Sequence, residues 1–460
     1  MDLTERLVEH LVEVKYEDLP PEAVEGAKKM VLDTLGVALA GSSAPGSDAL
    51  IGRIRAWSPA GRSTLLAHGG KVSAPLAAWA NASMARAREL DDSHDPTGDH
   101  PGVAAAPAAF AVAEEVGSVG GREVIAAVAL GVDLVARLRM ACEIPVGSIA
   151  WGAATFAPFS SAAVAGRLLG LDKGRMRDAL GLAYSQLAGS LQCQLDGTLN
   201  LRVQHGMAVE AGVRAAFLAR SGLDGVRNFL EGRFGLYATY FLGRWTPDVI
   251  TRDLGRRFEV SGVSVKHYPC GRYFHGAVDS VLEIVKAQDL SPDRIREIRV
   301  KLSRNGYNMV CEPREHRLQP RTPFHAAFSL YYCLAAAAVR RRLFLGEIAE
   351  DAISDPAILS LAQRVRPEVD DRPAQGRQVI PPTPVEILTT DGRTFQRTTE
   401  HPKGHPANPF SLDEVFEKVK ACAGFSARKI ADGNLRKFKE AVAALEDVDD
   451  VSFLPALLSP

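Results

Sequence analysis

The sequence lacks the short motifs that mark several large enzyme classes. It contains no G-x-x-x-x-G-K-[ST] phosphate loop, no H-E-x-x-H zinc motif and no G-x-S-x-G nucleophile turn. Its six cysteines lie far apart, and no two of them form a C-x-x-C pair. That spacing argues against a zinc ribbon or a secreted disulfide framework, and it favours reduced thiols in a cytosol-like compartment.

An excess of charge of either sign is also missing. The 54 lysines and arginines nearly balance the 55 aspartates and glutamates, which leaves no electrostatic footprint for nucleic acid or an anionic membrane. No apolar run reaches the roughly 18 residues of a membrane span. The N-terminal residues are acidic and amphipathic, so no secretory signal is expected. We therefore expect a cytoplasmic protein without nucleic-acid or membrane partners.

Apolar residues recur at helical spacing through most of the chain, and many of the predicted helices are rich in alanine and glycine. The pattern changes near residue 258, and residues 258–260 are predicted to be extended. Helices are predicted again at about 323–341 and, with amphipathic spacing, at 412–423. Residues 298–302 alternate apolar and basic side chains, which predicts a half-buried strand. Residues 385–399 predict a hairpin turned at Asp391-Gly392.

These patterns predict a mostly α fold. A large all-helical domain is expected, with a smaller α/β domain inserted before the C-terminal helices. We place the helical domain at 1–262 plus 405–460 and the α/β domain at 263–404. Small residues at helical spacing let neighbouring helices approach closely, so the Ala-rich stretches are interpreted as a compact multi-helix core.

One polar loop, 88–104, separates two predicted apolar helices. Its prolines and glycines cannot continue a helix, and the next helix should begin near Pro101. The loop combines carboxylates, imidazoles and hydroxyls: Glu89, Asp91, Asp92, Asp95, Asp99, His94, His100, Ser93 and Thr97. An acidic loop is often merely solvated and capped, but this mixture between apolar helices favours a functional site.

Residues 91–95 also fit D-D-x-x-D, the magnesium-diphosphate motif of all-helical isoprenoid synthases. Carboxylates one helical turn apart can share a hard cation. However, we find no second Asp-rich metal motif in the sequence, and the predicted α/β domain does not suit that fold. A magnesium-diphosphate isoprenoid enzyme is therefore a remote alternative.

Two further polar segments have open interpretations. Residues 266–275 predict a strand, a tight turn and a helix that begins near Arg272. Lys266 and Arg272 beside the free N–H groups of that helix would suit a carboxylate, unless the cations are simply solvated. In the segment 192–206, Arg202 and His205 either face a cavity or cap a helix, and the sequence leaves both possibilities open.

In their order along the chain, these segments resemble the MmgE/PrpD family. That family includes 2-methylcitrate dehydratase, cis-aconitate decarboxylase and iminodisuccinate epimerase. The segments that carry the resemblance are 89–93 with His100-Pro101, 33–41, 165–172, 185–189, 196–198, 266–276 and 328–331. The resemblance implies a helical domain with an α/β lid, a homodimer, and a site between the domains that needs no metal or organic cofactor.

The resemblance also implies a cofactor-independent lyase, of dehydratase or decarboxylase type, that acts by α-proton chemistry on a small carboxylic acid. We predict His100 as general base or acid, Asp91 as its partner and Lys266 as a further catalytic residue. The predicted substrate-binding residues are Glu89, Ser93, Trp151, Arg202, Arg272 and His275. An epimerase or isomerase of the same fold, or a degenerate member that only binds a metabolite, are the alternatives.

The sequence departs from the family pattern at several positions. Gly152 stands where the family usually has a histidine, Leu201 replaces a lysine, and Glu89 replaces an aspartate. Losing two potential cations predicts a substrate with fewer carboxylates, or one with an apolar arm against Trp151 and Leu201. The absent side chain at Gly152 is expected to leave room for that arm.

Overall fold

The computed structural model describes residues 2–144, 151–370 and 380–460 and confirms the mostly α fold class. The α-helices, numbered in chain order, are α1 (Leu3–Glu13), α2 (Pro21–Ser42), α3 (Ser47–Trp57), α4 (Ala74–Ala85), α5 (Pro101–Val116), α6 (Gly121–Ala141), α7 (Ala157–Leu168), α8 (Lys173–Tyr184), α9 (Gln192–Leu195), α10 (Asn200–Arg220), α11 (Leu236–Tyr240), α12 (Asp248–Thr251), α13 (His275–Ala287), α14 (Arg304–Val310), α15 (Arg314–Leu318), α16 (Pro323–Ala327), α17 (Leu330–Arg340), α18 (Pro356–Ala362), α19 (Leu412–Ala423), α20 (Asp432–Ala443) and α21 (Leu454–Leu457). In the described part of the chain, no helix combines the length and the apolarity needed to cross a membrane.

Short elements complete the fold. The 3-10 helices are Tyr16–Asp18, Ala153–Thr155, Glu259–Gly262, Arg272–Phe274, Pro292–Arg294, Leu345–Ile348, Ala352–Ser354, Leu445–Asp447 and Val451–Phe453. The strands are β1 (Ser63–Thr64), β2 (Lys71–Val72), β3 (Ile295–Leu302), β4 (Val365–Val369), β5 (Thr383–Thr389) and β6 (Thr394–Thr399).

The chain divides into two compact units. The first consists of the described residues of Met1–Ala87, Asp91–Val263 and Ser411–Pro460. The second consists of Arg88–Leu90 and the described residues of Ser264–Phe410. The polar loop between α4 and α5 therefore contributes its first three residues to the second unit and the rest to the first.

Small residues form the closest helix contacts of the first unit, where α10 packs against α4, α7 and α8. A Cβ at Gly206 would lie 2.1 Å from Ser83 Oγ, and a Cβ at Gly212 would lie 2.1 Å from Ser161 Oγ. Only glycine fits such separations, so the backbone of α10 lies directly against α4 and α7. This close approach fixes the end of α4 next to the second turn of α10.

The second unit contains a four-stranded sheet in the order β4-β3-β5-β6. Strands β3 and β4 are parallel, whereas β3–β5 and β5–β6 are antiparallel. The β5–β6 hairpin turns at Asp391-Gly392, as predicted, and the φ of 86° at Gly392 is the left-handed value that glycine adopts without strain. Helix α13 packs against β5 and β6, which buries its apolar side chains against the sheet.

Candidate active site

The loop between α4 and α5 is buried rather than solvated. Asp91, Asp92 and His94 are fully shielded from solvent, and Ser93 and Asp99 are only 3% exposed. Burying carboxylates costs free energy unless they gain charged or hydrogen-bonding partners. The partners of these groups therefore define what the loop does.

The central arrangement in the first unit is a chain of three side chains. Arg86 is the C-cap residue of α4, and its Nη1 lies 3.2 Å from Asp91 Oδ1. The other carboxylate oxygen of Asp91, Oδ2, lies 2.9 Å from Nδ1 of His100, the N-cap residue of α5. The loop thus closes on itself and places a cation and an imidazole on opposite oxygens of one buried carboxylate.

The surroundings of His100 fix which ring nitrogen is available for chemistry. Its Nδ1 also lies 2.6 Å from the carbonyl oxygen of Asp92. Since both neighbours of Nδ1 are acceptors, Nδ1 carries a hydrogen and donates it. The atom that gains or loses a proton is therefore Nε2. A carboxylate behind Nδ1 stabilises the imidazolium that forms when Nε2 is protonated.

Asp92 is a second buried carboxyl group beside the pair. Burial and the neighbouring charge of Asp91 raise the pKa of Asp92 to about 7. Its Oδ2 accepts a 2.9 Å hydrogen bond from the backbone N–H of Gly102, at the N-terminus of α5. Asp92 therefore holds a proton over a wider pH range than an ordinary aspartate, which suits an acid at neutral pH.

The carboxyl group of Asp99, like that of Asp92, has a raised pKa. Burial raises the pKa of its carboxyl to about 6, although Arg139, His100 and His94 oppose the shift. The backbone carbonyl of Asp99 accepts a 2.9 Å hydrogen bond from the backbone N–H of His94, which closes the turn of the loop. The loop therefore contains two carboxyl groups that titrate near neutral pH.

His205 of α10 borders the same cluster. It is 3% exposed, and burial together with the charges of Arg86 and His100 lowers its pKa to about 3. The imidazole of His205 is consequently neutral at physiological pH. The sequence left open whether His205 faces a cavity or caps a helix. In the structure His205 is buried, and the charges of Arg86, Asp91 and His100 act on it.

His94 belongs to a separate ionic network. Its Nδ1 lies 2.8 Å from Thr97 Oγ1, and its Nε2 lies 3.5 Å from Glu259 Oε2. Glu259 in turn pairs with Arg257 at 2.9 Å. Although burial alone would raise it, the hydrogen bond from His94 and the nearby cations lower the pKa of Glu259. This network anchors the loop within the first unit.

The second unit holds its own cluster of charges. Lys266 is 1% exposed, and its Nζ lies 3.5 Å from Glu89 Oε2 and donates to the Glu89 carbonyl at 3.2 Å. Glu89 has a φ of 51°, a left-handed conformation that costs a non-glycine residue free energy. The local backbone is thus held in an unfavourable conformation where Glu89 meets the lysine.

Arg272 and His275 lie on the same segment as Lys266. The Nη2 of Arg272 donates to Ser264 Oγ at 2.9 Å. His275 is fully buried, and its Nε2 lies 3.3 Å from the Cys270 carbonyl. Burial and the charges of Arg272 and Lys266 lower the pKa of His275 well below its usual range. The segment therefore brings two cations close to a neutral imidazole.

Other predicted site residues lie in different surroundings. Trp151 is half-buried and packs edge-on against Tyr240, with ring centroids 5.0 Å apart. Arg202 is half-buried and donates to the Pro45 carbonyl at 3.1 Å. Leu201 is half-buried in the first turn of α10. Both Arg202 and Trp151 thus make contacts of their own outside the pair of Asp91 and His100.

The space beside Gly152 is bordered by the side chain of Leu191. A Cβ there would lie 3.0 Å from Leu191 Cδ2, and the Gly152 N–H donates to the Gly189 carbonyl at 2.9 Å. That an apolar arm of the substrate occupies this space stays a prediction. Ala150, its neighbour in the family motif, lies outside the described residues.

Three residues of the first-unit cluster were not predicted as site residues: Arg86, Asp92 and His205. Arg86 follows an alanine-rich helix and has the sequence features of an ordinary C-cap cation. Only the return of the loop onto α4 brings it to Asp91. Across the described ranges, no group of three or more His, Cys, Asp or Glu side chains is arranged to hold a metal ion.

Comparison with known proteins identifies the family. The MmgE/PrpD N-terminal domain matches residues 5–247 and the MmgE/PrpD C-terminal domain matches residues 268–446. The cis-aconitate decarboxylase-like protein oryM of Aspergillus oryzae is 29% identical, covering 100% of this chain and 97% of its own.

Two further relatives are named cis-aconitate decarboxylase. The protein from Aspergillus terreus is 28% identical over 96% of this chain and 93% of its own, and the Homo sapiens protein is 24% identical over 99% and 94%. Both family domains match in the expected order and together span most of the chain. The chain belongs to the MmgE/PrpD family.

Proposed function

We propose that the protein is a cofactor-independent lyase that moves a proton next to a carboxylate of a small carboxylic acid. The relatives named cis-aconitate decarboxylase, at 24% to 28% identity over nearly the whole chain, support the reaction class. The observation that carries the proposal is the 2.9 Å pair of His100 Nδ1 and Asp91 Oδ2, with Arg86 on the other oxygen.

A decarboxylation is the form of the reaction that the relatives' names favour. Breaking the bond between carbon and the departing carboxylate releases carbon dioxide and leaves an electron pair. In an unsaturated acid that pair spreads over the adjoining double bond and a remaining carboxylate. A proton must then arrive at carbon, and the Nε2–H of the His100 imidazolium supplies it. Asp91 stabilises the imidazolium before the transfer.

In a dehydration the same groups act, but the proton moves to His100 instead of from it. A neutral Nε2 of His100 removes the α-proton, and a second acid protonates the departing hydroxyl. Asp92, with a pKa of about 7, is suited to that role. Epimerisation needs only removal and return of the α-proton, without a leaving group. The three reactions therefore share a proton transfer at His100 and differ in which group, if any, leaves the substrate.

Lys266 and Arg272 are proposed to bind a substrate carboxylate. Glu89 neutralises one of these two cations, and His275 adds no charge because its pKa is lowered. Cations of this kind form charge-assisted hydrogen bonds with a carboxylate. Ser93, Trp151 and Arg202 stay proposed substrate contacts. Leu201 in place of a lysine supports a substrate with fewer carboxylates than a tricarboxylic acid.

A homodimer is the proposed assembly. Large apolar side chains of the first unit are exposed, including Leu195 at 77%, Phe234 at 74% and Leu242 at 73%. Exposed apolar side chains of this size favour association with another surface. Sedimentation equilibrium of the full chain would give the molecular mass, and a monomeric mass at micromolar concentration would refute the dimer.

The test of the proposed function is a reaction panel in deuterated buffer. Wild-type protein is incubated with cis-aconitate, citraconate, mesaconate and 2-methylcitrate after exhaustive chelation. Release of carbon dioxide with one deuterium in the product identifies a decarboxylase, and loss of water identifies a dehydratase. Deuterium uptake without net conversion identifies an isomerase or epimerase. Binding without exchange or conversion indicates a degenerate member and refutes the lyase.

A further inference from the structure

We infer that His205 is a specificity-determining residue whose neutral Nε2 forms a hydrogen bond with an oxygen atom of the substrate. The inference rests on the proposed function and deepens it. It adds a polar substrate contact from α10 to the pair of His100 and Asp91. The chemical class that this contact recognises is an oxygen of a carboxylate or hydroxyl group.

The position of His205 follows from the packing of α4 and α10. Its neighbour Gly206 lies directly against α4, because a Cβ there would be 2.1 Å from Ser83 Oγ and 2.5 Å from the Trp79 carbonyl oxygen. Arg86 ends α4 three residues after Ser83. The close helix contact therefore holds the ring of His205 near Arg86 and the site.

The ring of His205 contains an unsatisfied atom. Its Nε2 is buried and has no hydrogen-bond partner among the described residues. A buried polar atom without a partner costs free energy, so such atoms in native proteins call for an explanation. A ligand oxygen that reaches Nε2 would remove that cost. An unsatisfied Nε2 in the unliganded protein is therefore what we expect if His205 binds a ligand.

The charge state of His205 limits what it binds. The charges of Arg86 and His100 keep it neutral, as does its burial. His205 therefore does not replace the cation lost at Leu201. It offers one neutral N–H or one lone pair instead. A neutral N–H still donates a hydrogen bond to a carboxylate or hydroxyl oxygen. The positive charge of the nearby Arg86 disfavours an ammonium group as the ligand.

His205 is also separate from the proton-transfer step. The moving proton was assigned to Nε2 of His100, whose Nδ1 is held by Asp91 and the Asp92 carbonyl. A group with a pKa of about 3 is a poor proton carrier at neutral pH. Loss of the His205 side chain should therefore weaken substrate binding more than it slows conversion of the bound substrate.

The test measures binding of unreactive acids by calorimetry in the full-length protein. The probes are propane-1,2,3-tricarboxylate and methylsuccinate, which lack the double bond that decarboxylation requires. The variants are His205→Leu, which removes the polar atoms, and His205→Gln, which keeps a neutral donor. Met207→Leu, at an exposed residue of the same helix, is the matched control.

We expect His205→Leu to raise the Kd of whichever probe wild type binds by about tenfold, the effect of one neutral hydrogen bond. His205→Gln should raise it less than threefold, and Met207→Leu should not change it. The melting temperature of unliganded His205→Leu should equal or exceed that of wild type, because an unsatisfied buried atom is removed.

Two results would overturn the inference. Unchanged affinity in His205→Leu, with wild type binding a probe, would remove His205 from the site and leave the proposed lyase intact. Equal loss of affinity in the Leu and Gln variants, accompanied by a lower melting temperature, would assign His205 a purely structural role. If wild type binds neither probe and converts no acid of the panel, the inference and the proposed function fail together.

Discussion

His100 Nδ1 lies 2.9 Å from Asp91 Oδ2, although nine positions separate the two residues and a turn rich in proline and glycine lies between them. The pairing is possible because Asp91 follows the end of α4 and His100 caps the start of α5. The loop therefore serves to return the chain onto itself. The result is an acid–base pair between a carboxylate of the loop and an imidazole at the start of α5.

The first prediction concerns Arg86, which contacts the far oxygen of Asp91. Arg86→Met should lower kcat by roughly tenfold to a hundredfold, since the carboxylate behind His100 loses its cation. Removing a positive charge should also raise the apparent pKa of the pH–rate profile. Arg86→Lys, which keeps the charge, should recover part of both effects. A profile of Arg86→Met that coincides with wild type would separate Arg86 from the proton transfer.

The second prediction concerns the buried pair of Lys266 and Glu89. Lys266→Met should lower the free energy of unfolding by about 3–5 kcal/mol, because it leaves the Glu89 carboxylate buried without this cation. The double variant Lys266→Met with Glu89→Gln should regain most of that stability in urea denaturation. It should not regain turnover, because the proposed carboxylate-binding cation is still missing. Recovered turnover in the double variant would show that Lys266 only offsets Glu89.

The third prediction is a pH dependence of stability. Asp92 has a pKa of about 7 in the folded protein, whereas an unfolded aspartate has a pKa of roughly 3.9. Between these values the folded state binds more protons than the unfolded state, so the free energy of unfolding falls as pH rises from 4 to 7.

Asp92→Asn stays neutral and should escape that loss. Urea midpoints at pH 5 and pH 7.5 should show that Asp92→Asn gains stability relative to wild type at the higher pH. The variant Asp224→Asn, at an 83% exposed carboxylate, is the control and should show no such gain. An equal difference between Asp92→Asn and wild type at both pH values would contradict the raised pKa.

The fourth prediction concerns substrate charge. Wild type should prefer mono- or dicarboxylates to a tricarboxylate of matched skeleton, because Leu201 supplies no cation. Leu201→Lys should shift the ratio of kcat/KM values toward the tricarboxylate by about tenfold. The control is Leu199→Lys, which adds the same charge just before α10. Preference of wild type for cis-aconitate or methylcitrate, unimproved by the added lysine, would refute this reasoning.

Local sequence predicted the elements whose signals are local. The pattern of residues 412–423 predicted α19 as observed, and Asp391-Gly392 predicted the hairpin. Residues 258–260 were predicted to be extended. Phe258 is extended, but the prediction was wrong for the next two residues because Glu259–Gly262 form a 3-10 helix. The Glu259 N–H donates to Asp133 Oδ1 at 2.9 Å, a partner from another helix that a short apolar run cannot reveal.

Tertiary structure also explains why a helix predicted as continuous is interrupted. Residues 323–341 were expected to form one helix, but the structure has α16 and α17 with a break between them. Ser329 causes the break by capping α17, since its Oγ accepts the Tyr332 N–H at 3.0 Å. A serine within an apolar run permits either a helix interior or a cap, and the tertiary structure selected the cap.

The candidate site likewise combines residues that the sequence pointed to with residues that it did not. The sequence pointed to Asp91 and His100 because carboxylates and imidazoles are concentrated in one short loop. It did not point to Arg86, which stands at the end of an apolar helix, and it left open whether His205 faces a cavity or caps a helix. The return of the loop brings Asp91 to Arg86, and the close approach of α4 and α10 at Gly206 and Ser83 brings His205 beside them. Such pairings between distant segments leave little trace in a single sequence.

The most direct measurement of the central claim is the turnover of His100→Ala on the acid that wild type converts fastest. If Nε2 of His100 carries the proton, kcat should fall by about two to four orders of magnitude, and deuterium from the solvent should no longer enter the product at the wild-type rate. The melting temperature should change little, because His100 lies at a helix end. Turnover and deuterium incorporation within about threefold of wild type would contradict the account.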